Sequence, residues 1–272
     1  LSRRGLQAYA RHPLLRTVGI DSTFYRMASA ARLAEWAAQV PDAFRFLLKA
    51  PQELLSPWLR DHRGANPRYL DPAFATDAVI GPYLEGLGAK AGILLLQFPP
   101  QGRAIAEQPR RFAEQLYRFL RRLPAGPRYA VELRDPALYS ADFLAALQHG
   151  GGLPTLSVHP RALAPEQQLE RLAARPPGPL VVRWMLRLDR QYEEARADFS
   201  PFDRLQAPDS AARDLLAQAC REALAAGDDV YVIANNKAEG SSPLTLAALA
   251  EAIAPAPPAG PATVPPAGPS AS

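Results

Sequence analysis

Gly92-Ile-Leu-Leu-Leu-Gln-Phe98, preceded by Lys90 and closed by Pro99 and Pro100, decides the fold class of this chain. Four aliphatic residues in succession leave no polar face. A strand wetted on one side alternates apolar with polar, whereas a parallel strand covered by helices outside and by core inside need not. The run is also far short of the roughly 20 apolar residues that cross a bilayer, so no membrane contact is expected.

Outward from this segment the same grammar repeats. Short apolar runs bounded by Pro, Gly or Asp predict strands at Thr17–Asp21, Arg45–Lys49, Gly92–Phe98, Tyr129–Arg134, Pro154–His159, Leu180–Met185 and Asp229–Ala234. Between them, segments of helical period predict helices at Ala30–Val40, Ala73–Leu87, Glu107–Leu123, Ala141–His149, Ser210–Ala226 and Leu244–Ile253. A weaker helix is expected at Pro165–Ala174, and Ser140 and Ser210 are placed as N-caps. Such alternation is the signature of repeated βα units. No Gly-x-Gly-x-x-Gly follows an early strand and no Gly-x-x-x-x-Gly-Lys occurs anywhere, so a closed TIM (β/α)8-type barrel is favoured over an open nucleotide-binding sheet. Seven strands against the eight of a complete barrel place the absent first strand before Leu1.

Composition narrows the class further. The 272 residues, 48% hydrophobic, suit a single barrel domain over residues 1–253, and the Pro/Ala-rich segment 254–272 is expected to be disordered. The lone Cys220 has no partner for an intrachain disulfide, and Leu1-Ser-Arg-Arg has neither an initiator methionine nor the apolar core of a signal peptide. A reducing, cytoplasmic setting is the expectation. The net charge is +4 and the pI about 9.4, yet the arginines are scattered, which makes nucleic acid the lesser reading. Lysine is rare: Lys49 ends one apolar strand, Lys237 lies in a polar loop after another, and Lys90 precedes a strand as a solvated flank.

Five segments resemble the YecE-like family, the uncharacterised-domain family numbered seventy-two. They are Val18-Gly-Ile-Asp-Ser-Thr-Phe-Tyr-Arg, Phe44-Arg-Phe-Leu-Leu-Lys-Ala-Pro, Leu94-Leu-Leu-Gln-Phe-Pro-Pro, Ala130-Val-Glu-Leu-Arg-Asp-Pro and Tyr231-Val-Ile-Ala-Asn-Asn-Lys-Ala-Glu-Gly. They fall in the family's order and spacing up to about Ile253. The resemblance implies a TIM barrel and leaves the activity open. Two departures stand out. The family's Gly-Thr-Ser-Gly-Trp-like first strand does not precede Leu1, and where many relatives carry Arg-x-His-Gly this chain reads Arg183-Trp-Met-Leu-Arg.

In such a barrel the chemistry sits at the C-terminal strand tips. Asp21, Lys49, Gln97, Glu132, Arg134, His159, Arg183, Asn235 and Asn236 lie there. Asp21, Lys49 and Glu132 are the candidate catalytic groups; Tyr25, Gln97, Arg134, Arg183, Asn235, Asn236 and Lys237 are the candidate substrate-binding groups. Alternation puts Glu132 and Arg134 on one side of their strand, and Arg45, Leu47 and Lys49 on one side of theirs. Glu132 is expected to pair with Lys49 across the barrel, either as a structural ion pair or as part of a site. Gln97 has a bland alternative, satisfying backbone groups near the prolines. Asn235-Asn-Lys-Ala-Glu-Gly suits a phosphate-binding loop, its bland alternative being a turn with Asn in left-handed conformation and Gly240 ending it. Ser22 and Thr23 are read as turn residues. No cofactor is called for, and His12, His62, His149 and His159 lack metal-ligand spacing. The expectation is an enzyme acting on a small anionic or hydroxylated metabolite, with a non-catalytic ligand-binding barrel and a nucleic-acid-processing barrel as alternatives.

Overall fold

A computed structural model describes residues 5–59, 64–172 and 177–254. All but the first residue of the tail expected to be disordered at 254–272, His62 and the last two residues of the helix expected at 165–174 lie outside these. Seven strands follow one another around the sheet in sequence order: β1 (Thr17–Ile20), β2 (Arg45–Lys49), β3 (Ala91–Phe98), β4 (Arg128–Leu133), β5 (Gly152–Val158), β6 (Leu180–Trp184) and β7 (Val230–Ala234). Every neighbouring pair is parallel. Helices fill the connections, the longer ones being α1 (Ala30–Ala37), α2 (Pro109–Leu120), α3 (Ala141–Gly150), α4 (Pro165–Leu172), α5 (Tyr192–Phe199), α6 (Ser210–Ala225) and α7 (Ser242–Ile253). Helices on one side only, with the sheet curling so that β7 meets β1, make this a TIM-like barrel.

The closure is incomplete. Among the described residues β1 is hydrogen-bonded to β2 alone and β7 to β6 alone. The two edges nevertheless approach closely: a Cβ on Gly19 would lie 3.0 Å from Cγ2 of Ile233, so glycine is what lets the backbone come this near. Thr17, Leu15, Val230, Val232 and Leu249 border a mostly apolar cleft of about 320 Å³ along this seam. A strand fewer than eight, with unpaired edges at this point, agrees with the sequence expectation.

Side-chain alternation builds two cores from one set of strands. Leu47, Ile93, Leu95, Ala130, Leu153, Val181 and Tyr231 fill the barrel interior. Their neighbours Phe46, Leu48, Leu94, Leu96 and Val131 pack outward under the helices. Leu156, Val182 and Trp184 do the same on the far side. One step above the interior layer, the same inward parity carries Lys49, Gln97, Glu132, Ser157 and Arg183, and the core therefore ends in a polar ring.

Local differences from expectation have local causes. Ser140 caps α3 by accepting from the Phe143 amide at 3.2 Å, but the cap of α6 is Asp209, not Ser210, because its Oδ1 accepts from Ala212 N at 3.1 Å. The helix expected over 73–87 is broken into Pro72–Ala75, a π-helical stretch Thr76–Ile80 and Gly81–Leu87. Pro82 cannot donate to the carbonyl four residues back and its ring crowds it, which a wider π turn relieves. The α5 helix, absent from the sequence reading, is capped by Gln191 with Glu194 reaching back to its backbone N–H at 3.0 Å.

Candidate functional site

Glu132 organises the barrel mouth. It is fully buried at the top of β4, and Arg183 Nη1 donates to its Oε2 at 2.5 Å from the top of β6. Arg134, two residues on and so on the same side of the chain, donates from Nη2 to Oε1 at 2.5 Å. Ser157 Oγ donates to Oε1 at 3.1 Å from β5. Burial alone would push this carboxyl up, but the two guanidinium charges, the Arg183 hydrogen bond and Lys49 outweigh it and hold the pKa down to about 2. The two guanidinium groups thus favour Glu132 as an anion.

Arg183 links this carboxylate to a second one. Its Nη2 lies 3.2 Å from Oδ1 of Asp21, whose side chain is half exposed beyond the tip of β1. Burial opposes the Arg183 charge, and Glu132 and Asp21 more than restore it. The remaining donors are not all used: Arg183 Nε and Arg134 Nη1 are buried without a hydrogen-bond partner among the described residues. Desolvation outweighs the pull of Glu132 at Arg134, lowering its pKa.

Lys49 departs from expectation. Among the described residues no carboxylate lies within ion-pair distance of its amine, so the expected Lys49–Glu132 pair is replaced by the two arginines. The ammonium sits 3.9 Å from the centre of the Phe24 ring. Phe24 belongs to a short 3-10 turn, Ser22–Phe24, tied down by Thr23 Oγ1, which donates to the carbonyls of Ile20 and Lys49 at 2.9 and 2.7 Å. Burial is the main cause that lowers the Lys49 pKa to about 8; Arg183 and Arg134 push the same way, and Asp21 and Glu132 only partly offset them. The expected turn role of Thr23 thus proves to be the positioning of the ring beneath Lys49.

Gln101, not Gln97, satisfies backbone groups near the prolines. Gln101 serves the backbone, donating from Nε2 to Leu55 O and Pro99 O at 3.0 and 2.6 Å and accepting from Tyr69 Oη at 2.8 Å. Gln97 sits beside Glu132 in the β3–β4 register, with no side-chain hydrogen bond to a described residue. His159, past the end of β5, is kept neutral down to about pH 4, first by burial and then by the Arg134 charge.

The loop after β7 is mostly occupied by its own turn. Asn235 Oδ1 accepts from the Lys237 amide at 3.1 Å, and Asn236 Oδ1 accepts from Ser242 N at 2.8 Å. Neither Asn is left-handed; Gly240, at φ +119°, is, and a Cβ there would lie 2.5 Å from Arg204 O. Glu239 is buried against Arg213 at 2.5 Å and accepts from Asp209 N at 2.7 Å. The Lys237 ammonium donates to Asn235 Oδ1 at 3.4 Å and lies 4.2 Å from the Tyr192 ring centre. Tyr25 packs its ring edge-on to Phe24, the centres 5.7 Å apart. Sequence reasoning missed Ser157 and Phe24, and only the inward parity of β5 could have marked the serine.

With this geometry in place the comparisons are specific. The family model described as protein of unknown function DUF72 matches residues 1–268. The chain belongs to the DUF72 family. A solved DUF72 structure from Enterococcus faecalis V583 superposes with a TM-score of 0.60 at 17% identity, covering 92% of this chain and 93% of that one. A DUF72 protein from Thermotoga maritima MSB8 gives 0.56 at 18% identity, covering 88% and 85%. At such identity these likenesses speak for the fold. No curated protein matches the chain significantly. In this DUF72 chain no helix among the described residues is long and apolar enough to cross a membrane.

Proposed function

We propose that this DUF72 barrel is an enzyme that binds a small anionic metabolite at the C-terminal mouth of the sheet. The observation that carries the reading is the Lys49 amine: half-buried on an aromatic face, out of ion-pair reach of any described carboxylate, and drawn down to about 8. A lysine placed only to hold the fold together would be paired, and its amine would stay in the ordinary range. The unpartnered Arg183 Nε and Arg134 Nη1 supply neighbouring N–H donors for a carboxylate or phosphate. Gln97, with its amide uncommitted, suits a hydroxyl or carbonyl of the same ligand.

Proton transfer falls to Lys49 and Asp21. An amine near pKa 8 is poised to give or take a proton, or to add to a carbonyl, at neutral pH. Glu132 acts as the anion that orients both guanidinium groups. The nucleic-acid alternative finds less support, because surface arginines such as Arg32, Arg103 and Arg110 are distributed over helix faces, each beside its own glutamate. Cytoplasmic residence, with Cys220 a buried free thiol, completes the reading.

Isothermal titration of the protein with inorganic phosphate and with small dicarboxylates tests it. Saturable binding that disappears in Lys49→Met, with the fold retained, is the expected result; binding that is absent in the wild type, or unchanged in the variant, overturns it.

A further inference from the structure

From Phe24, whose ring bears the Lys49 ammonium, the neighbouring ring of Tyr25 leads into a cleft of about 540 Å³. It opens between the loop after β1, which supplies Tyr25 and Arg26, and the loop after β2, which supplies Gln52 and Trp58. Its size is that of small-molecule sites, and its position is the rim of the proposed binding mouth. Two large aromatic side chains stand exposed here, Tyr25 at 69% and Trp58 at 45%. Aromatic residues exposed together at a cleft are not explained by packing.

The loops that present them are fastened. Asn66 Nδ2 donates to the carbonyls of Glu53 and Ser56 at 2.5 and 2.7 Å, and its amide donates to Pro57 O at 2.9 Å. Ser56 Oγ donates to Trp58 O at 3.0 Å, and Trp58 bridges to Ala65. Glu53, the one carboxylate lining the cleft, is taken by Arg68 at 2.6 Å. Arg26 has no ion-pair partner among the described residues. The cleft therefore offers two exposed rings, an amide and a guanidinium without an ion-pair partner among the described residues, a few residues from a half-buried ammonium suited to an anion.

We propose that this cleft is a second subsite, and that it takes the planar ring of a ligand whose phosphate meets Lys49 and the mouth arginines: a mononucleotide. A purine or pyrimidine ring stacks on Tyr or Trp whatever its edge, and Gln52 and Arg26 provide donors for its acceptor atoms. This assignment rests on the anion-binding reading of the mouth and names the ligand class for it.

Calorimetry with inorganic phosphate, adenosine monophosphate and adenosine separates the two claims. The mononucleotide is expected to bind at least about tenfold more tightly than phosphate; Trp58→Ala should remove about that factor for the mononucleotide and leave phosphate unchanged. Trp58→Phe, which keeps a ring, should restore most of it. Lys49-dependent phosphate binding with no gain for the mononucleotide overturns the cleft assignment while leaving the mouth intact. Absence of phosphate binding in the wild type overturns the mouth reading itself. Binding of an oligonucleotide but not of the mononucleotide also overturns the proposal.

Discussion

The mouth holds its cations in two different ways. Arg183 and Arg134 are clamped to a buried carboxylate with hydrogen bonds of 2.5 Å, whereas Lys49 and Lys237 rest on aromatic rings at 3.9 and 4.2 Å with no carboxylate in ion-pair contact among the described residues. The first arrangement neutralises charge within the protein and ties β4 to β6. The second keeps charge available, since a π face stabilises an ammonium without cancelling it. The comparison suggests that the arginines set the shape of the mouth and the lysines set its affinity.

The sharpest way to break that division is at Glu132. Glu132→Ala leaves two buried guanidinium groups without their anion and should cost about 3–5 kcal/mol in urea or thermal unfolding. A loss under about 1 kcal/mol would mean that the clamp does not support the fold. The same pair predicts an acid limit: Glu132 has a pKa of about 2 in the fold against 4.5 unfolded, so its contribution is complete above about 4.5 and fades as pH falls through 2.

Lys49→Met should behave oppositely. Removing an amine that the fold already penalises by burial is expected to change stability by no more than about 1 kcal/mol, or to raise it, while phosphate binding is lost. Unfolding of this variant would make the lysine structural. The wild-type sign with pH follows: a pKa of about 8 lies below the ordinary 10.5, so burial of Lys49 opposes folding at and below pH 8, and this penalty is relieved as pH rises from 8 towards 10.5. Anion binding should run the other way and weaken as pH rises through 8.

Lys237→Met is expected to have the smallest effect, a reduction of a few-fold in phosphate affinity with stability nearly unchanged, because its ring contact is at the rim and partly solvated. A loss as complete as that of Lys49→Met would move the centre of the site to the β7 loop.

Strands were legible because each is a short apolar run between breakers, and position at the strand tips then named Lys49, Gln97, Glu132 and Arg183 among the residues of one polar ring. Partner choice was not legible. Arg183 meets Glu132 across 51 residues and Asp21 across 162, separations for which local pattern carries no signal. Gln101 and Gln97 have the same chemistry, and only the path of the chain after Pro99 and Pro100 decides which reaches Leu55. In the Asn235–Lys237 loop the turn contacts were not legible either, because a turn that ends at a helix start and buries Glu239 uses the same residue types as a phosphate loop.

The rarity of lysine offers the most direct test of the central claim, that Lys49 is held unpaired to meet an anion. With three lysines in the chain, the pH titration of their ε-methylene carbons by NMR gives few and assignable signals. One signal, missing in Lys49→Met, should titrate near pH 8 and move to higher pH on addition of inorganic phosphate. A Lys49 signal that titrates in the ordinary lysine range, or that phosphate leaves unmoved, would contradict the account.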